Sequence, residues 1–473
     1  MSARRAALFL SLPALLSACS SSSNAPAPAP APGDGGQLVT FPHPSIRDVD
    51  VLFVIDDAPG MAPAQARLLA GVKAFTDTLK SAPAGYPNLH LAVISSDLGA
   101  GASTVPGCRA GGDRGVFQTA PRGACAATGL PPGERFISIV DGKPSTDAGT
   151  ASNADPTTSV GDALACLVPL GESGCAFPHP LAAVLRALGA DGMPAPAENV
   201  GFLRPGAFLS IVLLTNQDDC SAPADSTLFD PTSRYVSDPL GPLTSFRCAE
   251  HGLSCGGAPP PRTMALALTG CQSAEDGKLL GIADVVARLK SLKADPNRIL
   301  VAALSGPAAP VTVQLGAPGL TEDPSPWPSL APACAGGDGV AARPAVRVEQ
   351  WVYAFGHNGV LESVCGDDLG PALSHVAQSV LDVLGPPCLD GPIATTMGPR
   401  GARPDCTITD YAGDAGGTVL PSCVDTGDVA PCWTLTDDAV CPGGKLLGFE
   451  APPGAPSGTA PGRDSSVQCR VSR

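Results

Sequence analysis

The stretch Val49–Met61, VDVLFVIDDAPGM, decides how the rest of the chain is read. Its first eight residues are nearly unbroken apolar and β-branched, and they end on an acid. A strand buried on both faces by flanking helices reads this way, whereas a half-exposed strand alternates. Working outward, Ala62 to Lys80 carries Leu68, Leu69, Val72, Phe75 and Leu79 at helical spacing. His90–Ser95 (HLAVIS), Phe208–Thr215 (FLSIVLLT) and Arg298–Leu304 (RILVAAL) repeat the buried-strand signature. Helical patterns lie between or after them at 159–170, 180–188, 277–292 and 371–384. Strands alternating with helices predict an α/β fold with a doubly wound, mostly parallel sheet.

Three segments interrupt this alternation, at 98–156, 221–270 and 308–344. They are rich in Gly, Pro and Cys and too long for plain loops. Beyond residue 386 the periodicity fades into a Cys-rich, turn-rich tail, which marks 386–473 as a separate small module. The 55 Gly and 52 Pro among 473 residues fall just short of the range where disorder becomes the default, and 44% hydrophobic residues can build a core. The net charge of −15 repels phosphate, so nucleic acid is excluded as an expected partner.

At the amino terminus, Arg4 and Arg5 precede the apolar run Leu8–Leu16, which is too short to span a bilayer. It ends in Leu16-Ser17-Ala18-Cys19, which resembles a bacterial lipobox. That resemblance implies a signal peptide over 1–18, acylation (palmitate) at Cys19 and a membrane partner through the lipid. Ser20 after the lipid-bearing Cys implies export to the outer membrane. Residues 19–44 follow as a Ser/Ala/Pro/Gly tether, whose Pro-rich part extends by about 3 Å per residue.

Of 17 Cys, setting Cys19 aside leaves an even number for an oxidising compartment. The body holds Cys108, Cys125, Cys166, Cys175, Cys220, Cys248, Cys255, Cys271, Cys334 and Cys365. The tail holds Cys388, Cys406, Cys423, Cys432, Cys441 and Cys469. Structural disulfides are expected throughout, with the pairing open; no C-x-x-C points to zinc or thiol redox chemistry.

In a doubly wound sheet, ligands meet the carboxyl ends of the strands. Asp56 and Asp57, then Asp97, then Asn216, Asp218 and Asp219 fall at those ends. With VDVLFVIDDAPGM (49–61), HLAVISSDLGAG (90–101) and FLSIVLLTNQDDCS (208–221), residues 45–385 resemble a von Willebrand factor type A domain. The Asp218–Ser221 segment and the Gly174–Phe177 turn (Gly-Cys-x-Phe) are most similar to large Cys-rich A-domain lipoproteins of myxobacterial type. The resemblance implies a metal-ion-dependent adhesion site built on a D-x-S-x-S turn, with a Thr and an Asp from later loops. Here that turn reads Asp56-Asp57-Ala58-Pro59-Gly60, keeping the acid and losing both hydroxyls. Asn216 replaces the later Asp, and Pro178 offers no side-chain oxygen. The vestigial candidates Asp56, Asp57, Asn216, Asp218 and Asp219 therefore hold at most a weak Mg, Mn or Ca site, and no cofactor is expected. Their other reading is as helix N-caps and loop acceptors.

No catalytic constellation stands out. His43, His90, His179, His251, His357 and His375 form no metal spacing, and no G-x-S-x-G elbow exists. Pro442–Leu446 lacks the spacing and the Ser/Thr of a phosphate loop. The expectation is a non-enzymatic envelope lipoprotein of the outer membrane or cell surface. It would act by adhesion or by binding a protein or extracellular-matrix partner, or else serve as an envelope scaffold.

Overall fold

The computed structural model describes residues 37–41, 48–82, 86–122, 130, 133–140, 143–144, 159–384, 388–410, 417–437, 444–450 and 465–471. The leader, Cys19, the tether up to residue 36, His43, Cys125 and Cys441 lie outside them. In chain order, the body begins with β1 (Gln37–Phe41), β2 (Asp48–Ile55), α1 (Ala62–Lys80), β3 (Asn88–Ser95), β4 (Ile137–Val140) and β5 (Lys143–Pro144). Next come α2 (Val160–Leu167), α3 (Pro180–Leu188), β6 (Phe208–Leu214), α4 (Phe246–Gly252), β7 (Leu253–Cys255), β8 (Leu266–Leu268), β9 (Cys271–Ser273) and α5 (Ile282–Lys290). It closes with β10 (Ile299–Ser305), β11 (Val311–Leu315), β12 (Pro328–Leu330), β13 (Cys334–Ala335), β14 (Ala341–Ala342), α6 (Val346–Tyr353), β15 (Gly359–Ser363) and α7 (Gly370–Leu384).

The architecture is mixed α/β around a seven-stranded sheet ordered β15-β10-β6-β2-β3-β4-β5. The five strands from β15 to β3 run parallel, and β4 and β5 add an antiparallel edge. Every residue of β3, β6 and β10 is buried. The twofold alternation of β2 sends Val51, Phe53 and Ile55 to one face, against α1, α2 and α7, and Leu52 and Val54 to the other, against α3, α5 and α6. Each fully buried Leu, Ile, Val or Phe contributes about 1.5–3 kcal/mol. On the first face α1 and α7 cross closely at Gly71, where a Cβ would lie 2.6 Å from Leu373 Cδ1.

Asp48 opens β2; Asp50, inside it, is buried by the alternation on the Leu52 face near the amino ends of the strands. Arg204 meets it with Nε at 2.7 Å and its backbone N–H at 2.8 Å, and Lys293 Nζ lies 3.8 Å away. The Arg204 guanidinium also donates to the Val49 and Asn88 carbonyls, and Lys293 Nζ to the Arg204 carbonyl. Burial raises the Asp50 pKa against the pull of Arg204 and Lys293, and pushes Lys293 down to about 8. Burial, with Arg204, holds His90 at about 3, so its neutral ring shares a 2.8 Å hydrogen bond with the Phe202 carbonyl.

The interrupting segments are not independent. The first carries β4 and β5 into the main sheet, so part of 98–156 belongs to the core layer. The second and third join each other, because β11 pairs with both β8 and β12. Among the described residues four disulfides fasten them: Cys108–Cys175, Cys220–Cys248, Cys255–Cys271 and Cys334–Cys365. Cys166 is disulfide-bonded as well.

The tail holds β16 (Cys388–Asp390), β17 (Thr395–Gly398), β18 (Gly401–Pro404), β19 (Cys406–Asp410), β20 (Thr418–Leu420), α8 (Cys423–Thr426), β21 (Cys432–Thr436), β22 (Gly444–Glu450) and β23 (Ser465–Val471). Its core buries Leu389, Ile408, Leu420, Trp433, Leu447 and Val467, with Cys406–Cys469 and Cys423–Cys432 as bridges. One expectation is corrected here. Residues 37–41, assigned to the tether, form β1, an edge strand in register with β23 from Gln37↔Val471 to Phe41↔Val467. The alternation of QLVTF was outweighed by the Pro/Gly-rich sequence before it, and its pairing partner lies at the far end of the chain.

Among the described residues no helix is long and apolar enough to cross a membrane.

Candidate site at the carboxyl edge of the sheet

The parallel register brings the residues after β2, β3, β6 and β10 to one edge. Backbone hydrogen bonds continue past the strand ends: Ser96 N–H donates to Ile55, Asp56 to Leu214 and Thr215 to Leu304. Asp56, Ser96 and Thr215 are thereby side by side. The buried Asp56 carboxylate accepts from Ala58 N–H at 2.9 Å, Ser96 Oγ at 3.1 Å and Thr215 Oγ1 at 2.7 Å. Burial raises its pKa, and these three donors work against the rise. The turn carries no side-chain hydroxyl at 58 or 60, yet two hydroxyls reach Asp56 from the neighbouring strands. Ser96 and Thr215 were missed in the sequence; the available signal was a hydroxyl directly after an apolar strand.

Asp57 is placed differently. Its Oδ2 lies 3.2 Å from Arg122 Nη1, while Oδ1 is buried without a hydrogen-bond partner. That oxygen packs on Gly174, where a Cβ would come within 2.3 Å of it, so the Gly-Cys-x-Phe turn needs its glycine. Asp97 Oδ1 accepts from Gly99 N–H at 2.8 Å, and its Oδ2, 3.7 Å from Arg109, makes no hydrogen bond of good geometry. Asp113 collects Ser95 Oγ at 2.6 Å and the guanidinium groups of both Arg109 and Arg122. Burial opposes the ionisation of Asp113, but Ser95, Arg122 and Arg109 together hold its pKa below the usual value. For Asp57, burial and the charges of Asp97, Asp56 and Asp113 outweigh Arg122, and its pKa is pushed up to about 7. Burial likewise raises Asp97. Arg109, Asp113 and Arg122 come from the first interrupting segment, where nothing in the linear pattern tied them to the strand ends.

The remaining sequence candidates are not brought to this group. Asp218 Oδ1 accepts from the Arg347 and Val348 N–H groups at 3.0 and 3.1 Å, which caps α6. Burial pushes its pKa up to about 6 against Arg347. Asp219 accepts from Leu181 N–H at the start of α3 and binds Arg347 through Nε at 3.2 Å and Nη2 at 3.0 Å. Ser221 Oγ completes that cap by accepting from Ala182 N–H at 2.8 Å. Asn216 turns its Nδ2 to the Gly60 carbonyl at 3.1 Å and leaves Oδ1 buried without a partner. Pro178 contributes only its carbonyl, which accepts from Cys220 N–H. A residue outside the candidate set covers the turn: Glu172 Oε1 accepts from Gly60 and Ala62 N–H at 2.8 and 3.0 Å, capping α1.

Among the described residues no group of three or more His, Cys, Asp or Glu is arranged to hold a metal ion. The donor geometry around Asp56 also fits a hard divalent cation poorly. Both of its oxygens accept from protein donors, and Asn216 presents an amide N–H₂ to the turn.

No protein-family model and no curated protein matches the chain. Among solved structures it is similar to the pilus adhesin SpaC from Lactobacillus rhamnosus GG in its open conformation. The identity is 13% and the TM-score 0.31, over 90% of this chain and 38% of that one. The pilus adhesin RrgA from Streptococcus pneumoniae aligns at 9% identity and TM-score 0.25, over 92% of this chain and 58% of that one. The chain thus spans well under two thirds of either adhesin, and at these scores neither likeness carries an argument about fold or role.

Proposed function

We propose that this chain is an envelope lipoprotein, acylated at Cys19, whose von Willebrand A-like body is a non-enzymatic protein-interaction or adhesion module. The observation that carries the reading is the carboxyl edge itself. Asp57 and Asp97 keep carboxylate oxygens there without hydrogen bonds, beside Arg109, which is largely exposed, and Arg122. Leaving buried polar atoms unpaired costs stability, so such a cluster at a ligand-facing sheet edge supports a binding role. The interaction would not pass through a resident cation, because the Asp56 oxygens are occupied by Ala58, Ser96 and Thr215. That closed arrangement also favours the second reading, an A-like scaffold in the envelope that binds nothing at this edge.

One experiment separates them. The immobilised acylated chain is offered cell-surface extract in Mg buffer and in EDTA, beside an Arg109→Ala/Glu172→Ala double variant. The interaction reading expects capture of the same protein in both buffers and its loss with the variant. Capture that requires Mg would overturn the cation-free part. Capture indifferent to the variant, or none, would leave the scaffold reading.

A further inference from the structure

Beside α3, and bordering the acidic edge at Leu98 and Gly111, the first and second interrupting segments and the 191–198 loop line an open cavity of about 740 Å3. That size is in the range of pockets that hold drug-sized molecules. Its walls are mainly apolar, from Leu98, Val116, Leu185, Ala222 and Leu280. His179 also lines it, and burial pushes its pKa down to about 4, so the ring adds no charge. Both rims are held covalently. Cys108–Cys175 ties down the loop that bears Gly111 and Arg114, and Cys220–Cys248 ties down the loop that bears Ala222 and Ala224. The cavity is therefore formed before any ligand arrives, which lowers the ordering cost of binding.

Charge at the mouth sets the ligand class. Three arginines and two acids, Asp191 and Glu198, line it, and Asp284 pairs with Arg288 from just outside the lining. Two of the arginines are already engaged. Arg186 reaches Asp191 at 3.4 Å and the Pro194 carbonyl at 2.9 Å, and Arg288 reaches Asp284 at 2.7 Å. Arg114 is exposed, and its guanidinium makes no hydrogen bond or ion pair among the described residues. Its backbone sits in the left-handed region at φ 56°, which few residues other than glycine adopt. The next residue, Gly115, packs on the α3 backbone so closely that a Cβ would lie 2.9 Å from Ala187 N. The turn that carries Arg114 is thus fixed against α3. A planar guanidinium matches one carboxylate in a two-pronged hydrogen bond, whereas a phosphate dianion would leave charge uncompensated in this lining.

We propose that this cavity binds an apolar monocarboxylate, with its hydrocarbon body against Val116, Leu185 and Leu280 and its carboxylate on Arg114. The site borders the carboxyl edge but includes none of its acids, and it does not depend on the function assigned to that edge. The test is calorimetric titration of the full chain with dodecanoate, dodecanol and dodecyltrimethylammonium below their micelle concentrations. The proposal expects dodecanoate to bind one per chain, about tenfold or more tighter than the other two. Arg114→Gln should erase that preference while leaving dodecanol unchanged, since the Arg114 side chain has no partner to lose among the described residues. Ala224→Trp, at the exposed mouth, should weaken all three. Equal affinities, several sites per chain, no binding, or a preference that survives Arg114→Gln would each overturn it.

Discussion

At the amino ends of the parallel strands, Asp50 is buried among Arg204, Lys293 and a neutral His90, and both of its oxygens have donors. At the carboxyl ends, Asp57 and Asp97 are equally buried, yet each keeps an oxygen without a hydrogen bond. The same sheet therefore buries charge in two ways. The lower cluster is closed, with cations drawn from the 204 and 293 loops and their spare hydrogens given to backbone carbonyls. The upper cluster is open on the acid side, and disulfides hold its loops: Cys108–Cys175 beside Asp57 and Asp97, and Cys334–Cys365 beyond β15. The closed cluster satisfies its charges within the fold; the open one leaves an oxygen of Asp57 and one of Asp97 without donors, beside loops that a disulfide ties down.

The largest effect expected from this contrast is at the closed end. Arg204→Met leaves Asp50 buried with Lys293 as its one cationic neighbour, beside the neutral His90, and urea unfolding should report a loss of about 3–5 kcal/mol. Adding Asp50→Leu together with Lys293→Met, which removes the whole buried cluster, should recover most of it. A loss below about 1 kcal/mol would show that the lower cluster does not order the sheet.

Opening the covalent staple comes next. Replacing Cys108 and Cys175 by Ser should cost about 2–4 kcal/mol, because the bridge closes a loop over a sequence separation of 67. Limited proteolysis should then cut between residues 98 and 114 before the lower edge becomes accessible. Unchanged protease resistance there would mean that packing, not the bridge, holds the upper loops.

The smallest effect concerns the pH response of Asp57. Its folded pKa, about 7, lies above the unfolded value of 3.8, so between these the folded state keeps a proton that the unfolded chain has lost. Its contribution to stability is fully present below about pH 4 and is lost as pH rises towards 7, by at most about 1.4 kcal/mol per pH unit. Asp57→Asn cannot ionise and should be about 1–2 kcal/mol more stable than the parent at pH 8, with no gain at pH 4. A gain of the same size at both pH values would mean that the substitution acts through packing on Gly174. The corresponding change at the closed end, Asp50→Asn, should instead destabilise at pH 8 because it unpairs Arg204 and Lys293.

Much of the fold was legible because its central strands are buried on both faces. Asp48–Ile55, Asn88–Ser95, Phe208–Leu214 and Ile299–Ser305 read as apolar runs wherever they sit, and α1 and α3 show helical spacing in their own residues. The edge strand Gly359–Ser363 was not legible, since its residues are only partly buried and GVLES carries little pattern. Helix Val346–Tyr353 was missed for another reason: much of its definition comes from Asp218, more than a hundred residues earlier, capping its start. The position of Asp56 at a strand end followed from the strand alone.

The sequence by itself determined which segments are the central buried strands and the main helices, that acids follow the strand ends, and that the turn at 56–60 carries no hydroxyl. Those properties belong to residue type and local spacing. Only the tertiary structure decided that Ser96 and Thr215 return hydroxyls to Asp56, and that Asp218 and Asp219 serve helices α6 and α3. It also decided that Arg109 and Arg122 leave Asp57 half-paired, and that Gln37–Phe41 closes on Ser465–Val471. Each of these is a contact between residues distant in sequence, set by strand order, register and disulfides. A buried hydrogen bond is satisfied by whichever donor the packing brings within about 3 Å, and no local pattern records which one that will be.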